Sequence, residues 1–325
     1  MKLTFRLREI LAIAGLVLAS AGHAAFPERP IKLVVPYAAG GGTDGIARAF
    51  AEAMGRELKQ PMVVENRPGA GAIIGTQAVA GAPKDGYTLL LASNGNMVLT
   101  PFLYKDLKFD AKKDLKVFAL VAEAPTVVVA NPTVPANTLR EFESYAKANA
   151  GRVFYGLLGQ GNVLFIATKV METMMGIQMT GIQYKGSSPA LMGTMSGEVQ
   201  VYVDLASTSV PLIKAGRLKA LAVPNRARLE ALPDVPTFSE AGYPEFHAAS
   251  WIGFALPSGA PDAVILTLQA AARKVLAEGK FRESAKALGL VMLPEMNDKA
   301  IADYIEADHV RWSGLARRYN ITVEQ

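Results

Sequence analysis

Short apolar runs alternate with helical repeats through most of the chain. Ile31-Lys32-Leu33-Val34-Val35 is apolar and β-branched, as a buried strand is. Beyond Tyr37-Ala38-Ala39-Gly40-Gly41-Gly42-Thr43-Asp44, the residues Ile46, Phe50, Met54 and Leu58 recur at helical spacing. The same pattern predicts strands over 31–35, 62–65, 87–92, 117–130, 152–155, 181–184, 199–204, 218–223 and 249–256. It predicts helices over 44–58, 71–80, 139–148, 162–175, 188–195, 208–214, 261–277, 281–287 and 297–318. This alternation implies an α/β fold, with parallel sheets covered by helices on both faces. Gly69-Ala70-Gly71, Pro83-Lys84-Asp85-Gly86 and Pro257-Ser258-Gly259 punctuate it as turns.

Two extended runs are longer or more isolated than a single lobe needs. Val117 to Ala130 is broken only at Glu123-Ala124-Pro125, and Ser250 to Leu256 follows the proline-rich stretch Pro233 to Pro244. Both are read as crossings between two lobes. The first lobe then combines 26–123 with 250–325, and the second is 124–249. Two crossings make a hinge, with a ligand cleft between the lobes.

The candidate chemistry lies in the glycine turns. Around Tyr37, Ala39, Gly40, Gly41, Thr43 and Asp44, the glycines let the backbone approach a ligand without Cβ clashes. Thr43 is placed to cap the helix, whose free N–H groups and positive dipole end favour an anion. A second turn, Gly156-Leu157-Leu158-Gly159-Gln160-Gly161-Asn162, opens a helix in the opposite lobe. Two helix N-termini, one per lobe, can clamp a carboxylate, with Gly159, Gln160 and Asn162 at the second. Ser93 and Asn94 follow the strand over 87–92, at the carboxyl end where open α/β sheets bind ligands. They either bond the ligand or cap the next helix. Asp204 also ends a strand, and it bonds backbone N–H groups or reads an amino or hydroxyl group. Arg48, a turn inside the first helix, ties the two lobes or the Glu65 region together or serves as a ligand counter-charge, and the Met171, Met174, Met175 and Met179 cluster fills core at helical spacing.

The first residues bear on compartment. Lys2, Arg6 and Arg8 precede an apolar run from Ile10 to Ala19, too short to span a bilayer, and small residues around Gly22-His23-Ala24 offer a cleavage site. Residues 1–24 read as a signal peptide removed on export to a periplasm. No cysteine is present, which suits an exported chain with a core large enough to need no disulfide. Of the net charge of +5, the leader's Lys2, Arg6, Arg8 and Glu9 carry +2, leaving +3. No Lys/Arg run of nucleic-acid type appears, so no nucleic-acid partner is expected.

Several segments, in order, resemble the tripartite tricarboxylate transporter solute receptors, the Bug-type periplasmic binding proteins. They are Pro36 to Asp44 with Ala47-Arg48, Glu65-Asn66-Arg67-Pro68-Gly69-Ala70-Gly71, and Asp85-Gly86-Tyr87-Thr88-Leu89. Tyr184-Lys185-Gly186, Val203-Asp204, Leu232-Pro233-Asp234-Val235-Pro236-Thr237 and Trp251 continue the match. The resemblance implies a two-lobed, Venus-flytrap fold of the type II kind, a small organic carboxylate as ligand, and Gly186 among the residues around it. It implies two membrane transporter subunits as partners, a receptor that acts as a monomer, and neither catalytic residues, metal nor cofactor. The chain departs from the family pattern at Leu157, Asn162 and Phe165, and at Ala72, where a third glycine is common. Leu157 in place of a hydroxyl residue makes the second wall more apolar, which points to an aromatic or longer aliphatic carboxylate.

Three other readings compete. Within binding proteins, the alternative is a periplasmic sensor that presents its ligand to a membrane kinase. Gly40, Gly42 and Gly45 satisfy G-x-G-x-x-G between strand and helix, with Glu65 about twenty residues on, as in NAD-dependent Rossmann oxidoreductases. Export argues against that cofactor. Hydrolytic chemistry lacks its parts: His247 and His309 are the histidines beyond the leader, and no Gly-x-Ser-x-Gly elbow exists. His247 precedes a crossing strand and can approach the cleft.

Overall fold

Ile31, Leu33, Val34 and Val35 are all buried, and they belong to an interior strand of the first of two sheets. The computed structural model describes residues 26–104, 106–159, 162–244 and 246–318. The leader and Gln160 therefore lie outside the described residues.

The chain runs β1 (Ile31–Val35), α1 (Gly42–Leu58), β2 (Met62–Asn66), α2 (Ile73–Ala80), β3 (Thr88–Ser93) and β4 (Leu115–Ala124). After Pro125 it enters the second sheet with β5 (Thr126–Ala130), α3 (Leu139–Ala148), β6 (Phe154–Leu157) and α4 (Val163–Met175). There follow β7 (Thr180–Gln183), α5 (Ser187–Ser196), β8 (Val201–Leu205), α6 (Ala206–Lys214) and β9 (Lys219–Ala222). It returns with β10 (Ser250–Pro257), α7 (Asp262–Ala277), α8 (Gly279–Ala287), β11 (Val291–Met292) and α9 (Asp298–Arg318).

The first sheet has the order β11-β4-β10-β3-β1-β2 and the second β7-β6-β8-β5-β9. The sheets are mixed, where strand–helix alternation predicted parallel ones. β1 pairs parallel with β2 and β3, but β10 runs antiparallel to both β3 and β4. In the second sheet β5 runs antiparallel to β8 and β9. The cause is the double crossing: a chain that leaves one sheet along β4 and comes back along β10 must reverse direction.

The crossings lie side by side. Thr126 Oγ1 donates to Ala248 O at 2.6 Å, and Asn94 Nδ2 donates to Ala249 O at 3.1 Å. β10 belongs wholly to the first sheet, so the return passage is the segment just before Ser250. The first lobe packs one face of its sheet around Phe50, stacked on Phe254 with centroids 3.6 Å apart. The second lobe is filled by Phe142, Tyr155, Tyr202 and Leu221, with Met171, Met175 and Met179 buried among them. No helix among the described residues is long and apolar enough to cross a membrane.

Candidate ligand-binding site

The turn after β1 brings a helix end to the gap between the lobes. α1 starts at Gly42, with Gly41 as its N-cap and no side-chain cap bond. Thr43 therefore sits inside the first turn, and the expected Thr43 cap is not formed. The chain reverses at Gly40, whose φ is +85°, whereas Gly41 is extended at φ −84°. Asp44 holds this loop from behind. Its carboxylate accepts the Gly40 N–H at 3.0 Å, Arg48 Nε at 2.9 Å and Asn66 Nδ2 at 2.9 Å. Burial opposes ionisation, but the Arg48 guanidinium, the Gly40 N–H and the Asn66 amide hold the Asp44 carboxyl below its usual range. What remains without an intrahelical acceptor includes the N–H groups of Gly42 and Thr43.

Those two residues line a cavity of about 860 Å³ between the lobes. Of the residues singled out from the sequence, Tyr37, Ala39, Gly41, Thr43, Ser93 and Asn94 line it from the first lobe. Gly159, Asn162 and Gly186 line it from the second. Gly40, Asp44 and Asp204 are absent from the wall, contrary to expectation. Gly40 and Asp44 are spent on one another. Asp204 is fully buried, and its carboxylate accepts Ser187 Oγ at 2.8 Å, Thr208 Oγ1 at 2.6 Å and Ser209 Oγ at 2.7 Å. Burial pushes this carboxyl up, against those three hydroxyl bonds.

The second wall differs from the predicted one. Asn162 caps α4, and its Oδ1 accepts the N–H groups of Leu164 and Phe165 at 3.0 Å each. Its Nδ2 donates to Gly159 O at 2.9 Å. The α4 end is thus largely satisfied by its own side chain. The open helix end is that of α5: Gly186 precedes it without a side-chain cap, and Gly186, Ser187, Ser188 and Pro189 all face the cavity. Pro189 in the first turn has no N–H to lose, which leaves the Ser187 and Ser188 N–H groups without intrahelical acceptors. Of this stretch Gly186 was expected at the ligand and Lys185 entered through the family resemblance alone; Ser187 and Ser188 were not expected there, although the run Gly186-Ser187-Ser188-Pro189 carries the signal of a helix start.

Lys185 is the charged residue among the described ones lining the cavity, and no carboxylate lines it. Tyr37 OH bonds Ser93 Oγ at 2.7 Å, and burial pushes the Tyr37 phenol up against that bond. Asn94 is held by Ala249 O and by Ser250 Oγ at 2.7 Å, so it braces the crossing strands and caps no helix. The apolar lining comes from Leu158, Val163, Leu164, Leu205 and Ile252. Leu157 and Phe165 are not in it. Nor is His247, whose Nε2 stands 3.7 Å from Glu123 Oε1 beside the crossings.

The sequence model of the tripartite tricarboxylate transporter family receptor matches residues 46–321. This chain belongs to that family. The tripartite tricarboxylate transporter receptors are solute-binding proteins and not an enzyme class, which favours the receptor reading over the oxidoreductase one. Glu65 agrees, since its carboxylate is engaged by Lys32 at 2.9 Å and by Arg67. Among relatives of this receptor, a UPF0065 protein of Bordetella pertussis is 41% identical, over 85% of this chain and 86% of the relative. Protein BugT of the same organism is 34% identical, over 95% and 96%. Among solved structures, MatC from Rhodopseudomonas palustris with bound malate is 30% identical, with a TM-score of 0.84 over 89% of this chain and 99% of that one. The R. palustris protein Rpa4515 with adipate is 28% identical, with a TM-score of 0.87 over 92% and 100%.

Proposed function

We propose that this receptor binds a small organic carboxylate in the interlobe cavity and delivers it to the membrane subunits of a tripartite transporter. One observation carries the reading: two uncapped helix N-termini, α1 and α5, open into a cavity whose wall, among the described residues, includes Lys185 and no acid. A helix N-terminus offers N–H donors and a positive dipole end to an anion. Between two lobes, where water is displaced, such donors gain strength from the lower dielectric. The carboxylates bound by MatC and Rpa4515 support the ligand class.

Tyr37, Ala39, Gly41, Thr43, Ser93, Asn94, Gly159, Asn162 and Gly186 are the proposed site, joined by Lys185, Ser187 and Ser188. The apolar stretch Leu158, Val163, Leu164 and Leu205 favours a ligand with an aromatic or longer aliphatic body. Residues 1–24 are the proposed export leader, cleaved before a monomeric receptor folds in the periplasm. Its lobes are 26–123 with 250–325, and 124–249. It carries out no catalysis.

Calorimetric titration of the mature protein tests this, with mono- and dicarboxylates set against their neutral amides. Saturable binding of carboxylates and none of the amides is expected. Equal binding of acid and amide, or turnover of any of them, would refute it.

A further inference from the structure

The first turn of α6 sits where the lobes meet. Leu205, just before it, packs against the first-lobe core built on β1, α1 and β10. Ser207 then lies between two glycines of that lobe. A Cβ at Gly42 would overlap Ser207 Oγ and come 3.0 Å from Ser207 Cβ. A Cβ at Gly289, which follows α8, would lie 3.3 Å from both Ser207 N and Ser207 Cα. The Ser207 hydroxyl is enclosed and has no hydrogen-bond partner among the described residues. An enclosed, unpaired hydroxyl costs stability, so the seat is satisfied by the small size of serine and not by a bond.

Both ligand-facing helix ends connect to this seat. Gly42 opens α1. On the other side, Asp204 accepts the hydroxyls of Thr208 and Ser209, the residues after Ser207, and that of Ser187, which opens α5. One buried carboxylate therefore ties the first turn of α6 to the first turn of α5.

We propose that Ser207 is a positioning residue: seated against Gly42 and Gly289, it sets the separation between the N-termini of α1 and α5 in the closed receptor. The proposal rests on the ligand site argued above. Ser207 is not in the cavity wall, so it acts without touching the ligand. A larger residue at this position wedges the lobes apart. It then draws the Ser187 and Ser188 N–H groups away from those of Gly42 and Thr43.

The chain has no cysteine, so labels can be placed at chosen sites. Val63→Cys in the first lobe and Met192→Cys in the second, both on exposed side chains, give a spin-label pair that reports interlobe distance by pulsed EPR. In this background Ser207→Ala keeps the small size and deletes the unpaired hydroxyl. Ser207→Leu fills the seat, with Ser207→Val as a smaller wedge if the leucine variant fails to fold. Ser207→Ala should retain the parent's closed-distance population and bind malate or adipate within about twofold of the parent. The wedge variants should lose that population and bind about tenfold more weakly, while melting as folded proteins. Weaker binding at unchanged interlobe distances overturns the proposal, as do parental distances and affinity in the wedge variants. The distances need no ligand. If the parent binds no acid of the mono- and dicarboxylate panel while the wedge variants still open, the ligand reading fails and this one stands.

Discussion

Asp44 Oδ2 accepts the backbone N–H of Gly40 at 3.0 Å, closing the glycine turn on the side away from the cavity. The acid of the first helical turn thereby shapes the loop that faces the ligand without meeting it. This bond also separates the duties of the adjacent glycines. Gly40 makes the reversal, and Gly41 forms wall.

Gly40→Val and Gly41→Val should consequently fail in different ways. At φ +85° a β-branched residue is strained, and Gly40→Val should lose about 1–3 kcal/mol of stability. A Cβ at Gly41 meets nothing within 4 Å, so Gly41→Val should fold normally and weaken carboxylate binding by intruding on the cavity. Urea unfolding and calorimetry on both variants check this. Equal losses of stability would show that the division of labour is wrong.

Ala72 adopts φ +76°, a left-handed conformation that disfavours any Cβ. Relieving it is worth about 1–2 kcal/mol, against about 0.5–1 kcal/mol for the extra freedom glycine has when unfolded. Ala72→Gly should therefore stabilise the receptor by at most about 1.5 kcal/mol, less what the buried methyl contributes, read as a higher urea midpoint at an unchanged slope. A lowered midpoint would contradict the account of this turn.

Glu123 sits where the crossings meet α9. The His247 imidazole, 3.7 Å away, draws its carboxyl from 4.5 down to about 2; burial opposes the shift and the Tyr304 hydroxyl, at 2.7 Å, adds to it. The folded-state value lies below the unfolded one. This group's contribution to stability is therefore full above about pH 4.5 and is lost as pH falls toward about 2. Glu123→Gln should be less stable at neutral pH and lose less on acidification. Denaturant midpoints followed across that range would test it, and parallel curves for parent and variant would exclude the pairing.

Much of the fold is legible in residue patterns because it rests on local chemistry. The helix predicted over 139–148 coincides with α3, where Thr138 and Glu141 form a capping box. The run read as one strand over 117–130 is two, β4 and β5, parted at Pro125. Strand direction was not legible, since the antiparallel course of β10 follows from where β4 left the sheet. Gly95–Leu99 is a π-helical turn with no apolar period to read. In the site, the first glycine turn was visible and its inner bonding was not. Asn162 looked like a ligand donor because its type suits that role equally with the cap it makes. At the α5 end Gly186 was singled out but Ser187 and Ser188 were not, because two serines after a single glycine stand out less than a turn with three. The seat of Ser207 joins residues from distant parts of the chain, and only the folded structure brings them together.

In the proposed site, backbone N–H groups at two helix ends hold the carboxylate. A crystal structure of the mature receptor with its tightest-binding carboxylate measures this directly. Carboxylate oxygens are expected at about 2.7–3.2 Å from the amide nitrogens of Gly42 or Thr43 on one wall, and of Ser187 or Ser188 on the other. A carboxylate bound elsewhere in the cavity, with both helix ends facing only water, would contradict it.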